Sequence, residues 1–396
     1  MGDRVRRLLE RWGAWVLLAL ALIVVLPTAQ LLIEAFDGLL LAGTDFAAID
    51  LRLRVREVTG WWSGTDIYKT SGHAVYPPAA YVILRALFVF DDFERIRWVW
   101  GAWTLLGVLL ASWGTVRAVG AKRWQAVVFV AVLPLAVSGM HGGIANGQVS
   151  LLCTLAAVGS VLLLTREDAG WGTDLLAAGL FLVALIKPTM TAPLFWLVCF
   201  VPGRWRPAVL VVVGYALLTV IGCLAIPDES MVVLLARWAD RAIEGSRYGA
   251  LDGGSVNMQT AMGLARLSLH APVVVLALVG LVGAWAAGRP SRDPWILMGV
   301  AGVVARLAFY HRTYDDLIVL PALIALARAA RRPATGRWPL DLVAGGLLVV
   351  TWGVMCVQDT HWFLEGPRDG ITWIAWVATG LFLVFLARQE DDGEPA

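Results

Sequence analysis

Charge and cysteine are both scarce in this chain, and each scarcity excludes something. Only 16% of the 396 residues are charged against 59% apolar, and the mean hydropathy is +0.72, which leaves too little polar surface to cover a water-soluble globule of this size. The formal net charge is +2, with lysine and arginine scattered and no long basic run, so a nucleic-acid partner is excluded. Cys153, Cys199, Cys223 and Cys356 each lie inside an apolar run, and no two are spaced as a zinc-type pair. They read as small core residues. His73, His141, His270 and His361 are too dispersed to define a metal site. No glycine-rich loop follows a strand pattern, so a nucleotide-sugar donor has no visible site. Internal repeats and low-complexity tracts are also lacking, and only residues 389–396 read as a disordered tail.

What the chain does have is apolar runs, near 14–33, 96–116, 124–140, 149–165, 174–187, 189–202, 207–226, 271–288, 294–310, 316–330, 339–357 and 371–387. Measured against the ~20 residues that cross a bilayer upright, they predict an all-α polytopic membrane protein with about twelve transmembrane helices. Runs 174–187 and 189–202 are short, so their boundaries are soft. The basic start, Arg4 to Arg11, resembles the head of a secretory signal, but the run from Ala14 to Ile33 is long enough to span and reads as a retained helix.

Lysine and arginine near helix ends mark the cytoplasmic side. With the N-terminus inside, the inside loops collect Arg117, Lys122, Arg123, Arg166, Arg204, Arg206, Arg289, Arg292, Arg328, Arg331, Arg332 and Arg337, and Arg388 precedes an inside C-terminus. The short outside loops, 140–148 and 310–316, hold only Arg312. This alternation requires that residues 77–90 do not span. A helix lying at the outer interface, with proline in its first turn and a snorkelling Arg85, satisfies it. Residues 34–95 are then extracytoplasmic, as are the polar segments 227–270 and 358–370. A single membrane domain is expected, with a catalytic module over 1–226 carrying outer loop 34–95 and a more variable helical half over 227–396 carrying outer loop 227–270.

The stretch 34–76 is the first long polar segment after the opening helix. Within it, Thr44 is placed to cap an interfacial helix beginning at Asp45, where the carboxylate would favour the helix dipole. A carboxylate at the membrane surface near arginines is equally what a general base for a hydroxyl nucleophile requires, and spacing does not decide between the two. Asp50 is placed to pair with Arg54 one turn along a helix. Lys187 ends an apolar run before a helix-breaking proline, where a charge is costly and marks a candidate site; snorkelling is the alternative. Asn146 and Gln148 suit sugar hydroxyls, and Asn-Gly is also common in turns. The loop from Tyr310 through His311, Arg312, Thr313, Tyr314 and Asp315 to Asp316 gathers more ionisable groups than interfacial anchoring explains.

Taken in order, Asp45-Phe46, then Gly64-Thr65-Asp66-Ile67-Tyr68, Tyr76-Pro77-Pro78, Asn146-Gly147-Gln148 and Lys187-Pro188 resemble glycosyltransferase family 87. These are GT-C-fold membrane enzymes that use polyprenyl-phosphate sugars and include mycobacterial mannosyltransferases acting on phosphatidylinositol mannosides. No one motif is specific; their order is. The resemblance implies an inverting transfer of mannose from a polyprenyl-phosphate donor to a glycolipid or glycan hydroxyl. Asp45 would be the base, with Asp50 its nearest rival. Lys187, His311 and Arg312 would lie at the donor phosphate, and Asp50, Tyr76, Asn146, Gln148, Tyr314 and Asn257 would contact substrate. This reading names no cofactor. A divalent metal held by Asp45, Asp50, Asp315 and Asp316 is the option left open, since hard cations take carboxylate oxygens. The chain's tryptophan and glycine content fits a bacterial source and hence the cytoplasmic (inner) membrane, with the active site on its outer face. Two alternatives stand beside this: the same mechanism with decaprenyl-phosphate arabinofuranose, and a flippase for a polyprenyl-linked lipid. The flippase would need repeated halves and polar residues spread through the bilayer, and the sequence has neither.

Overall fold

The computed structural model describes residues 2–41, 43, 47–166, 170–201, 203–251, 280–285, 288, 293–309, 312–331, 340–357 and 367–391, and among these the regular structure is entirely helical. A long first helix, α1 (Gly2–Leu40), is followed by a group of short ones: α2 (Ile49–Trp62), α3 (Ile67–Thr70) and α4 (Pro78–Leu87). Then come α5 (Phe93–Val119), α6 (Trp124–Val132), α7 (Ser138–Asn146), α8 (Ser150–Leu164) and α9 (Trp171–Ala184). The second half holds α10 (Pro188–Thr191), α11 (Phe195–Phe200), α12 (Arg206–Leu224), α13 (Met231–Leu251), α14 (Pro294–Ala308), α15 (Leu320–Ala329), α16 (Leu340–Val357) and α17 (Pro367–Asp391).

Caps set many of these boundaries. Asp92 accepts from the backbone of Glu94 and Arg95 at the start of α5, and Gly120, at φ 68°, closes its far end. Asp293 accepts from the Trp295 N–H, with Pro294 at the first helical position of α14. Among the described residues, five helices are long and apolar enough to cross a membrane: Leu22–Leu40, Phe93–Val119, Arg206–Leu224, Leu340–Val357 and Gly370–Gln389. A sixth span results if α7 and α8, bent 118° at their junction, count as one. Their exposed side chains are apolar: Trp98, Trp103, Leu109 and Trp113 on α5, Val212, Val213 and Leu217 on α12. Apolar surface on helices of this length suits contact with lipid. The deepest element is α14, where most side chains from Trp295 to Ala308 are buried against α15, α17 and the 3-10 turn Thr313–Val319.

The structure departs from the sequence reading in four places. Residues 140–148 are not a loop between spans: most of them belong to α7, which folds back against α8. The run 189–202 is broken into α10, a 3-10 turn at Ala192–Leu194 and α11, because Pro193 cannot continue the helix. The helix expected to begin at Asp45 begins at Ile49, preceded by Ala48 in the left-handed conformation and without a side-chain cap. Arg54 pairs with Glu57 at 2.5 Å, while Asp50 is bonded by Gln148. In agreement with the sequence reading, the segment 77–90 forms α4, ten residues starting on Pro78, too short to span and packed on α12.

The bundle has two chemically different ends. Helices α8 and α15 run away from the polar residues at 148–150 and 313–316. At the far end Arg328 and Arg331 donate to the carbonyls of Ala118 and Val119 at 2.6 and 2.7 Å. Arg204 and Arg206 close on the buried Asp174 at 2.7 and 3.3 Å. Arg204, Arg206, Arg328 and Arg331 thus share one end of the bundle, and the candidate site, with Arg54 and Arg306 beside it, lies at the other.

Candidate functional site

The site is built where α7 meets α8. Asn146 is the last residue of α7. Gly147 follows at φ 68°, its N–H bonded to the Ile144 carbonyl at 3.0 Å, and Gln148 N–H bonds back to Gly143 at 2.8 Å. This is the paired closure of a helix by a left-handed glycine, so Asn146-Gly147 is a turn, with Asn146 half-buried beside the site. The glycine also lets α2 approach: a Cβ here would lie 2.6 Å from the Leu51 Cβ. At the other end of α7, a Cβ on Gly139 would lie 2.5 Å from the Thr313 carbonyl oxygen. Two glycines therefore bring α2 and the 313–319 turn onto one short helix.

Two polar groups converge there. On one side Gln148 donates through Nε2 to Asp50 Oδ2 at the first turn of α2. On the other, Lys187 Nζ donates to Asp315 Oδ1 at 2.5 Å and to Ser150 Oγ at 3.4 Å, and Ser150 donates to the same carboxylate oxygen at 2.6 Å. The Lys187 ammonium also sits 4.9 Å from the Tyr314 ring centroid, and the Arg54 guanidinium 4.5 Å from that of Tyr76. Burial pushes both phenols above their ordinary range. Asp50 and Asp315 act on each in the same direction, with Arg54 opposing at Tyr76 and Arg312 at Tyr314. Both tyrosines therefore lie within electrostatic reach of both carboxylates.

Of the residues expected to act, the structure brings Asp50, Tyr76, Gln148, Lys187 and Tyr314 together. Arg312 is exposed and flanks Tyr314. Asp45, His311 and Asn257 lie outside the described residues. Sequence reasoning missed Ser150, Glu57 and the pairing role of Asp315. Ser150 stands two residues past Gln148, and that proximity was the available signal. Asp316 is fully buried against Arg306, which stacks 4.5 Å from Trp376; that pair locks α14 to the 313–319 turn. Among the described residues no three His, Cys, Asp or Glu side chains stand together as a metal would require.

The support beneath the site is α2. Trp61 Nε1 donates to the Gly222 carbonyl at 2.8 Å and its ring stacks on Tyr81 at 5.0 Å. Arg52 lies 4.8 Å from the Phe93 ring centroid. Glu57 is 3% exposed. Burial pushes its carboxyl up to about 7, against the lowering effects of Arg54 and the Tyr81 hydroxyl. A carboxyl raised in the folded state stabilises the fold fully below its ordinary range, and this contribution is lost as pH rises through the folded value. Thermal unfolding in detergent is expected to show the protein losing up to about 3 kcal/mol between pH 4.5 and 8 from this group. In Glu57→Gln that loss should vanish; an unchanged pH dependence would assign it to another group.

A family model described as Glycosyltransferase family 87 matches residues 74–357. The match covers well over half of the chain and begins after Asp45 and Asp50. No curated protein matches, and no solved structure matches.

Proposed function

This chain belongs to glycosyltransferase family 87 and is a GT-C-type, multi-pass membrane glycosyltransferase; from that premise we propose that it transfers mannose from a polyprenyl-phosphate carrier to a glycolipid or glycan hydroxyl, with inversion. The observation that carries the reading is the buried group of Lys187, Ser150, Asp315 and Tyr314 beside Asp50, Gln148 and Tyr76, in a protein whose long helices present apolar side chains outward. A lipid-linked donor reaches such a site laterally between helices, leaving its phosphate and sugar among the polar residues.

In the proposed reaction Asp45 takes the proton of the acceptor hydroxyl as its oxygen attacks the anomeric carbon. The bond from that carbon to the phosphate oxygen breaks, and its electron pair leaves with the phosphate. An ammonium has three N–H donors. Asp315 and Ser150 take two from Lys187, leaving one for a phosphate oxygen; Arg312 and His311 add charge and a donor from the neighbouring loop. Asp50, Tyr76, Asn146, Gln148, Tyr314 and Asn257 hold the sugar and acceptor. One displacement inverts the anomeric configuration. We take the end holding Arg204, Arg206, Arg328 and Arg331 as cytoplasmic with both termini, following the basic residues of the short inside loops; on that orientation the site is extracytoplasmic, where nucleotide sugars are absent. Residues 1–226 form the catalytic module of this single membrane domain.

The test is a donor panel with the full chain in proteoliposomes. Polyprenyl-phosphate mannose should label the acceptor lipid fraction with the anomeric configuration opposite to the donor's, and GDP-mannose should not. Transfer from decaprenyl-phosphate arabinofuranose instead would change the sugar and keep the mechanism. Lipid translocation without transfer would sink the reading.

A further inference from the structure

On α2, Asp50, Arg54, Glu57 and Trp61 fall at helical spacing along one face. Arg54 is 6% exposed and makes three contacts. Its Nη1 donates to Glu57 Oε2 at 2.5 Å, its Nη2 to the His73 carbonyl at 3.3 Å, and its guanidinium lies 4.5 Å from the Tyr76 ring centroid. The chain leading to Tyr76 is held from other sides too. Trp238 Nε1 on α13 donates to the Val75 carbonyl at 3.1 Å, and the Tyr68 hydroxyl to the Tyr76 carbonyl at 2.7 Å. Those two bonds fix backbone. Arg54 touches both the backbone and the ring.

The brace below Arg54 is costly. Glu57 accepts from Arg54 and, at 3.4 Å, from the Tyr81 hydroxyl, both through Oε2, while its buried Oε1 has no hydrogen-bond partner among the described residues. A buried carboxylate oxygen left unsatisfied destabilises the fold, and departures of this kind concentrate at functional sites. A planar guanidinium satisfies carboxylate, carbonyl and ring at once; a lysine ammonium on a flexible stem does not reproduce that geometry.

We infer that Arg54, braced by Glu57, is a positioning residue for sugar transfer, setting the Tyr76 ring at the edge of the site. This rests on the proposed transferase reading, in which Tyr76 contacts substrate. Arg54 itself acts through Tyr76 and the 73–76 backbone.

Initial rates in proteoliposomes with polyprenyl-phosphate mannose test it, using Arg54→Lys, Glu57→Gln, Tyr76→Ala and the Arg54→Lys/Tyr76→Ala double variant. Arg54→Lys should lower kcat by about 10- to 100-fold, the scale of a small misplacement, with the donor KM little changed. Glu57→Gln, whose amide oxygen still accepts from Arg54, should keep most of the rate. With Tyr76 already removed, Arg54→Lys should cost little more, because residues acting as a unit are non-additive. An equal cost in both backgrounds, or a wild-type rate in Arg54→Lys, overturns the inference. Hydrogen exchange separates it from the transferase reading: amides 73–76 should exchange faster in Arg54→Lys while those of α5 do not change. If the wild type transfers from no lipid-linked donor, the transferase reading fails, and unchanged exchange at 73–76 would then overturn the positioning role as well.

Discussion

Asparagine at position 45 is expected to leave the protein folded and to lower sugar transfer by about 10²–10⁴-fold, the usual worth of general-base assistance. The amide keeps the size of the carboxylate and its ability to accept a hydrogen bond, but cannot take the acceptor's proton. Asp50→Asn is the control. Asp50 already accepts from Gln148, so it is engaged in the architecture of the site, and its amide variant should lose less activity than Asp45→Asn. Labelled mannose transfer by purified variants, normalised to folded protein, decides between them. Wild-type transfer by Asp45→Asn together with a collapse in Asp50→Asn would move the base to Asp50.

Lys187→Met carries the second large effect, on both stability and rate. Lys187 and Asp315 are 13% and 3% exposed at the side chain and 2.5 Å apart. Removing one partner of a buried ion pair strands the other, which costs about 3–5 kcal/mol. Withdrawing a donor from the developing phosphate charge should cost a further 10²–10³-fold in kcat or about that scale. The double variant Lys187→Met/Asp315→Leu separates the two effects. With no stranded carboxylate it should regain most of the lost thermal stability, since replacing a buried pair by apolar residues is often neutral. Its transfer rate should stay low. Recovery of transfer in the double variant would show that Lys187 serves packing alone.

The arrangement of arginine gives a physical link between these local effects and the membrane. The far end is held by arginines bonded to backbone carbonyls and to Asp174. At the site end three cations each meet a carboxylate, Lys187 with Asp315, Arg306 with Asp316 and Arg54 with Glu57, while Asp50 is met by the Gln148 amide. Pairing offsets part of the cost of burying these charges, and the pairs still present donors and acceptors to an anionic sugar phosphate.

The sequence by itself determined that this is a helical membrane protein, where most of its helices lie, and that residues 77–90 form a short helix. The first two follow from the hydropathy of runs, a quantity local to about 20 residues, and the third from the alternation of basic loops. Lys187 was legible as a candidate because a charge closing an apolar run stands out without knowledge of its partners, Asn146 and Gln148 because their side chains suit sugar hydroxyls, and Tyr76 only through the order of the motifs. Only the tertiary structure decided the partners. Gln148 meets Asp50 from 98 residues away, Lys187 meets Asp315 from 128, and Ser150 meets Asp315 from 165. No local pattern encodes those separations. They depend on the 118° bend between α7 and α8 and on two glycines without a Cβ, Gly139 and Gly147, at which the 313–319 turn and α2 come close enough to bring their carboxylates in.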